Sequence, residues 1–199
     1  MLARIHSLLG VVPLGAYLCL HLYDNWPALG GREPWVDRAL HAPSRPWIVL
    51  LVLLPMLVHG VLGMQRFLRG ATNEAGPRGG RASSRLQAIT GLLVLGFVVF
   101  HVSQVWTVSE GPQHSPYDTY AVLFSTLGRP SVLGVYLLGL SAVCFHLAHG
   151  LPRAALTFAP ALPGRTLLVV RVASGVLGAL LWLMLLQLLA HFALGQALA

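Results

Sequence analysis

Five long apolar runs, separated by short stretches that carry nearly all the charge, set the pattern of this 199-residue chain. They extend from Ile5 to Tyr23, Trp47 to Gln65, Leu86 to Trp106, Val132 to Leu151 and about Leu167 to Phe192. A helix needs about 20 mainly apolar residues to cross a bilayer, and each run meets that length. None contains an acidic residue, and only the fifth contains an arginine, Arg171, in its first turn. Barrel strands alternate over about ten residues, whereas these runs are long and unbroken. The pattern therefore predicts an all-α polytopic membrane protein, one domain over residues 1–199, with five transmembrane helices. Pro13 and Pro55 lie inside runs, where a local kink is expected. The first run lacks a small-residue cleavage site and is interrupted by His6 and His21, so it reads as a span and not as a cleaved signal peptide. The connections Asp24–Pro46, Arg66–Arg85, Thr107–Ser131 and Pro152–Thr166 read as loops. None is long enough for a catalytic domain, so any chemistry sits among the helices or in partner subunits.

Composition agrees and charge adds a direction. Hydrophobic residues make up 56% of the chain and charged residues only 10%. A soluble domain carries about 25% charged residues, and disorder requires low hydrophobicity. Two cysteines, Cys19 and Cys144, exclude a disulfide scaffold and read as packing residues. The net charge of +7 would suggest nucleic acid in a soluble protein. Here all thirteen basic residues are arginines, mostly set between apolar runs, so the partner they indicate is the lipid bilayer and no nucleic acid is expected. Nine of them, Arg4, Arg66, Arg69, Arg78, Arg81, Arg85, Arg153, Arg165 and Arg171, fall on one side with a single acid, Glu74. Arg32, Arg38, Arg45 and Arg129 fall on the other with Asp24, Glu33, Asp37, Glu110 and Asp118. Positive residues stay in the cytoplasm, which predicts a cytoplasmic N-terminus and an external C-terminus.

The nine histidines carry the candidate chemistry. Ionisable residues inside spans are functional candidates by default. At 1.5 Å per residue, His21 lies roughly 24 Å and His101 roughly 22 Å from the cytoplasmic starts of their spans. His59 and His146, on spans running the other way, lie roughly 18 and 21 Å from the outer starts. In a core about 30 Å thick, His21 and His101 share an outer layer and His59 and His146 an inner one. Two imidazoles at equal depth on facing helices are what a six-coordinate haem b needs, one ring nitrogen going to iron and the other N–H to an acceptor. Gly63 and Gly150 follow His59 and His146 at i+4, leaving room for a flat macrocycle on the same face, and Gly10, Gly15, Gly91 and Gly96 precede the outer pair in a parallel pattern. The competing explanation is helix–helix hydrogen bonding and close packing. His149 is an alternative to His146, while His6, His114 and His191, near span ends or in loops, are explained by interfacial hydration. Zinc is disfavoured because no cluster supplies three or four closely spaced ligands.

The segment Arg4-Ile5-His6-Ser7-Leu8-Leu9-Gly10-Val11-Val12-Pro13, leading to His21-Leu22 and Asn25, resembles the first helix of the two-haem cytochrome b anchors of bacterial succinate dehydrogenases and fumarate reductases. So do Leu57-Val58-His59-Gly60-Val61-Leu62-Gly63, Leu86-Gln87-Ala88-Ile89-Thr90-Gly91 before His101, and Phe145-His146-Leu147-Ala148-His149-Gly150-Leu151. The resemblance covers about Arg4 to Leu151. It implies that His59 and His146 bind the haem proximal to the cytoplasmic subunits, and His21 and His101 the distal one. It further implies a flavoprotein and an iron–sulfur subunit on the cytoplasmic face, a place in the bacterial inner membrane, and electron transfer through two b haems to or from quinone, menaquinone by preference. Two residues depart from the pattern. Ala88 stands where a basic residue is expected, and Cys144 where some relatives carry a glutamate associated with transmembrane proton transfer.

A quinone head needs hydrogen-bond donors beside a lipid-accessible apolar slot. Outer candidates are Asn25, Trp26, Gln104, Trp106 and His114, with Glu33 or Asp37 as a proton relay; the same residues also suit an interfacial aromatic belt. Inner candidates are Arg4, His6, Ser7, Arg85 and Gln87, which equally suit haem propionates or anionic lipid. Two other functions compete with the main reading. One is a two-haem anchor of a hydrogenase or formate dehydrogenase, and the other a cofactor-free transporter or scaffold.

Overall fold

The structure, a computed structural model, describes residues 2–42, 47–70, 80–109 and 115–195. All regular elements among them are helical. In chain order they are α1 (Leu2–Asn25), α2 (Arg32–His41), α3 (Leu54–Leu68), α4 (Arg81–Ser109), α5 (Pro116–Leu127), α6 (Pro130–Phe158) and α7 (Gly164–Leu194). A tight turn over Trp26–Gly30 prolongs α1, and a wide π turn over Val49–Leu53 leads into α3. Five helices are long and apolar enough to cross a membrane, namely those of α1, α3, α4, α6 and α7. Their outward faces carry exposed Val12, Leu50, Leu168, Val172, Leu180 and Leu183, side chains that suit hydrocarbon as solvent.

Neighbouring spans are antiparallel, and small residues set their register. Gly10 of α1 faces His59 of α3, and Gly63 faces His6. Gly91 of α4 faces His146 of α6, while Gly139 faces Phe97. Gly178 of α7 lies against Ala148 of α6, and the Trp182 indole N–H donates to the Ser141 hydroxyl across the same pair at 2.9 Å. Lipid tails offer no hydrophobic gain for pressing helices together, so close backbone approach and interhelical hydrogen bonds hold such a bundle. One end collects Leu2, Leu68, Arg81, Phe158 and Gly164, and hence the arginine-rich segments.

The helices depart from the predicted spans in three places, each for a local reason. First, α6 does not stop at Leu151 but continues through Pro152 to Phe158. Pro152 removes one N–H, yet the buried packing of Pro152, Ala154 and Leu156 holds the last turns. Second, the expected irregularity at Pro55 takes the form of the π turn ahead of it, since a proline cannot donate to the carbonyl four residues back; α1 runs through Pro13 as a continuous helix. Third, two stretches read as loops contain helices. Gly31, with φ of 104°, reverses the chain into α2. Ser115 caps α5 reciprocally, accepting from the Asp118 N–H at 3.3 Å while its own N–H donates to the Asp118 carboxylate at 3.1 Å.

These two short helices cover the end of the bundle opposite the arginines. Tyr117 of α5 donates to Glu33 of α2 at 3.0 Å, and the carboxylate pushes that phenol above its ordinary pKa by favouring the protonated form. Trp35 of α2 meets Tyr120 of α5 with ring centroids 5.6 Å apart, and Tyr120 meets Phe192 of α7 at 5.2 Å. Beneath them the Tyr120 hydroxyl and His191 Nε2 form a buried hydrogen bond of 2.7 Å. His191 is thus not hydrated at an interface, as its position near a span end suggests, but enclosed by the cap, with 7% of its surface exposed. The variant Tyr120→Phe leaves that ring nitrogen buried without its partner. Such a loss costs roughly 1–3 kcal/mol, and a thermal melt of the purified protein is expected to shift downward accordingly.

Candidate functional site

Four spans converge on two levels of imidazoles. At the level nearer the arginine-rich end, the rings of His59 and His146 stand with centroids 6.2 Å apart and planes crossed at 86°. At the other level His21 and His101 stand 5.8 Å apart, crossed at 82°. The structure therefore brings together the four histidines in the two pairs that their depths suggest.

Each ring is fitted by its neighbours. A side chain on Gly10 would run into the His59 ring, and a Cβ on Gly91 would lie 2.9 Å from His146 Cε1. The glycines of α1 and α4 thus make space for imidazoles of the helices they face. Gly63 and Gly150 line the open space around His59 and His146, and each also meets a further side chain. Gly63 accommodates His6 Nε2, and Gly150 accommodates the amide of Gln87. Gly15 and Gly96 have no neighbour within 4 Å of a built Cβ.

Hydrogen bonds orient three of the four rings. His59 Nδ1 donates to the backbone carbonyl of His6 at 2.7 Å, and the His6 ring stacks on His59 with centroids 4.0 Å apart. His101 Nδ1 bonds the Tyr136 hydroxyl at 2.9 Å, while Phe97 stacks on the same imidazole at 5.8 Å. His146 Nδ1 lies 3.2 Å from the Thr90 hydroxyl and 3.2 Å from the Gln87 amide. His21 is flanked by the Tyr17 ring at 5.5 Å. His149, the alternative to His146, has both nitrogens engaged. Its Nδ1 bonds the side-chain amide oxygen of Gln87 at 2.7 Å and its Nε2 the Ser83 hydroxyl at 3.0 Å.

A cavity of about 230 Å³ opens between α1, α3, α4 and α6 around the first pair, lined by His6, Gly10, His59, Gly91 and His146. Arg66, Ser84 and Arg153 line it as well, so its surface is apolar along the spans and cationic at the arginine-rich end. His6, read from sequence as an interfacial residue, lies inside this cavity wall, and its Nε2 is buried without a partner among the described residues. The sequence names His6 among the inner quinone candidates but does not place its ring, because proximity to a span end says nothing of the face a ring occupies.

The outer quinone candidates separate. The Asn25 amide N–H donates to its own helix at the His21 carbonyl, 2.8 Å away, and its oxygen accepts from the Trp35 indole at 3.1 Å. Asn25 therefore ties α1 to α2 directly above His21. Trp26 is exposed and Gln104 half-buried on α4, both at the same end of the bundle. His114 and the side chain of Trp106 lie outside the described residues. Glu33 pairs with Arg32 at 3.1 Å as well as with Tyr117, and Asp37 with His41 at 3.2 Å.

The chain is 32% identical over 161 residues to the succinate dehydrogenase cytochrome b558 subunit of Bacillus subtilis (strain 168), a match covering 78% of each chain. It belongs to the family of succinate dehydrogenase cytochrome b subunits. No family model and no solved structure matches it. Membership in this family decides against a hydrogenase or formate dehydrogenase anchor and against a cofactor-free transporter. As a succinate dehydrogenase cytochrome b subunit the chain is a multi-pass membrane protein and part of an enzyme complex. Of the two residues read from sequence as departures from the family pattern, Ala88 lines the cavity and Cys144 is a buried free thiol in α6.

Proposed function

We propose that this cytochrome b subunit anchors a flavoprotein and an iron–sulfur subunit of succinate dehydrogenase to the membrane, and holds two b haems between His59 and His146 and between His21 and His101. When bound, the haems supply one-electron redox chemistry linking the iron–sulfur partner to quinone, with menaquinone favoured. The observation that carries the reading is the spacing of the two ring pairs. With metal–imidazole bonds of about 2 Å on each side, two rings sharing one iron hold their centroids about 6 Å apart. Both pairs, at 6.2 and 5.8 Å, meet that requirement.

The surrounding residues suit the group. An imidazole whose Nδ1–H is held by an acceptor offers Nε2 to the metal in a fixed orientation. The His6 carbonyl does this for His59, and the Tyr136 oxygen for His101. Arg66, on the cavity wall at its arginine-rich end, suits a carboxylate group on a macrocycle. Aromatic packing by Tyr17, Phe97 and Tyr136 keeps water from the second pair. The arginine-rich end, read as cytoplasmic, presents a surface complementary to an acidic patch on the iron–sulfur partner.

Co-purification tests the function as a whole. A tag on this chain is expected to retain the flavoprotein and iron–sulfur subunits, and succinate added to that complex is expected to reduce its b-type absorption bands. Isolation of the chain with other partners, or bands that succinate leaves oxidised, would contradict the assignment. Orientation has its own check. A reporter active only outside the cytoplasm is expected to be active when fused after Ala199 and silent when fused between α3 and α4.

Tyr136 gives a finer prediction. Donation from His101 Nδ1 to the phenol oxygen raises imidazole basicity and favours the oxidised metal. Tyr136→Phe removes that acceptor and is expected to raise one midpoint potential only. A neutral hydrogen bond is worth roughly 0.5–1.5 kcal/mol, which corresponds to about 20–60 mV in a one-electron couple. A redox titration followed in the visible region measures the shift.

A further inference from the structure

A second concavity lies outside the two ring pairs, between α6 and α7, with Ser83 of α4 at its edge. It is a groove of about 680 Å³ with two distinct ends. Arg153, Arg171 and His149 line one end, and Phe145, Gly175 and Trp182 line the remainder. Arg171 stands about 10 Å along α7 from Gly164, and Arg153 about 8 Å along α6 from Phe158, so on antiparallel helices the two cations share one depth. An exposed arginine at such depth is expensive unless an anion meets it. Arg171 has no ion-pair partner among the described residues, and five of the six acids of the chain fall in the segments assigned to the opposite side. Among the described residues no acid meets Arg171, which leaves the surrounding lipid as the source of its counter-charge.

The rest of the groove identifies the source. Above the cations it is mainly apolar, with the Ser141 hydroxyl already engaged by Trp182, and lies within the spans, beyond the reach of a soluble partner docked on the end of the bundle. The absence of a side chain at Gly175, where a Cβ meets nothing within 4 Å, keeps a slot open along α7. A quinone head is neutral and does not need two cations. The geometry points to a bound anionic glycerophospholipid, its phosphate between Arg153 and Arg171 and one acyl chain in the slot that ends at Trp182. Basic pockets between transmembrane helices on the cytoplasmic side take headgroups of this class.

The test uses the whole complex, stripped of lipid in detergent and then supplied with phosphatidylglycerol or phosphatidylcholine. Native mass spectrometry reads bound lipid, and a thermal melt reads the stabilisation. Wild type is expected to retain phosphatidylglycerol and to melt several degrees higher with it than with phosphatidylcholine. Arg171→Gln is expected to lose both effects, and Arg171→Lys to keep most of each. Gly175→Leu, which fills the slot but leaves both cations in place, is also expected to lose the lipid while keeping its visible spectrum. Retention of phosphatidylglycerol by both Arg171→Gln and Gly175→Leu overturns the proposal. Equal stabilisation by phosphatidylcholine, or by soluble glycerol phosphate, overturns it too, since the first needs no cations and the second no slot.

Discussion

Replacing His59 with alanine is expected to remove one haem from the purified complex and leave the other, and replacing His101 with alanine to do the reverse. The two ring pairs use separate helices' side chains at separate depths, so neither substitution touches the other pair. Each removes one of the two imidazoles proposed to hold the iron, and with it the hydrogen bond to His6 or Tyr136 that orients the ring. Haem per chain, measured after extraction, should fall from two to one in each variant and to none in the double variant. The two single variants should also differ in which midpoint potential is missing. Loss of both haems in each single variant would mean that the levels fold as a unit. Loss of neither would remove these histidines from the site.

The second large effect comes from a residue with no chemistry of its own. In Gly10→Ala the new methyl collides with the His59 ring, which is held from behind by the His6 stack and from Nδ1 by the His6 carbonyl. The ring has little freedom to yield. Overpacking of this kind typically costs about 1–3 kcal/mol, and here the strain falls on the proposed ligand itself. The expected result is a lowered melting temperature together with loss or spectral shift of the haem paired with His59, while the His21–His101 level is retained. Gly15→Ala, on the same helix but with no neighbour within 4 Å, is the control. It should be neutral, or stabilising by up to about 1 kcal/mol through helix propensity. Equal damage from both substitutions would point to a general need for glycine in α1 and not to the ring contact.

Sequence alone made the five spans legible because lipid imposes a length and an apolar content that few other structures share. The pairing of histidines was legible for a related reason. Helical rise converts residue number into depth, and depth alone separates His59 and His146 from His21 and His101. What depth does not convey is azimuth. The stacking of His6 on His59, the enclosure of His191 under Tyr120, and the matching of Gly63 to His6 all depend on which face of a helix meets its neighbour. The short helices α2 and α5 escaped for another reason. An apolar-run criterion finds only long helices, although Ser115 and Asp118, with Pro116 between them, spell a capped helix start. The continuation of α6 past Pro152 is an instance of tertiary packing overriding a local breaker.

The two levels of histidines differ in their surroundings, and that difference bears on how they work. Around His59 and His146 the walls are glycine, hydroxyl and amide groups with arginines at the mouth. Around His101 the walls are Phe97 and Tyr136, with the capped end of the bundle above. A metal with a cationic, polar surround is easier to reduce than one in an apolar aromatic surround, since the reduced form carries less positive charge. The pair nearer the arginine-rich end should therefore carry the higher potential, placing the better electron acceptor beside the iron–sulfur subunit if that subunit docks there as proposed.

Haem content measured against protein is the most direct measurement of the central claim. The intact complex, prepared with adequate haem supply and assayed by pyridine extraction against quantified chain, is expected to hold two haem b per copy of this subunit. A folded complex holding one haem, or none, would contradict it.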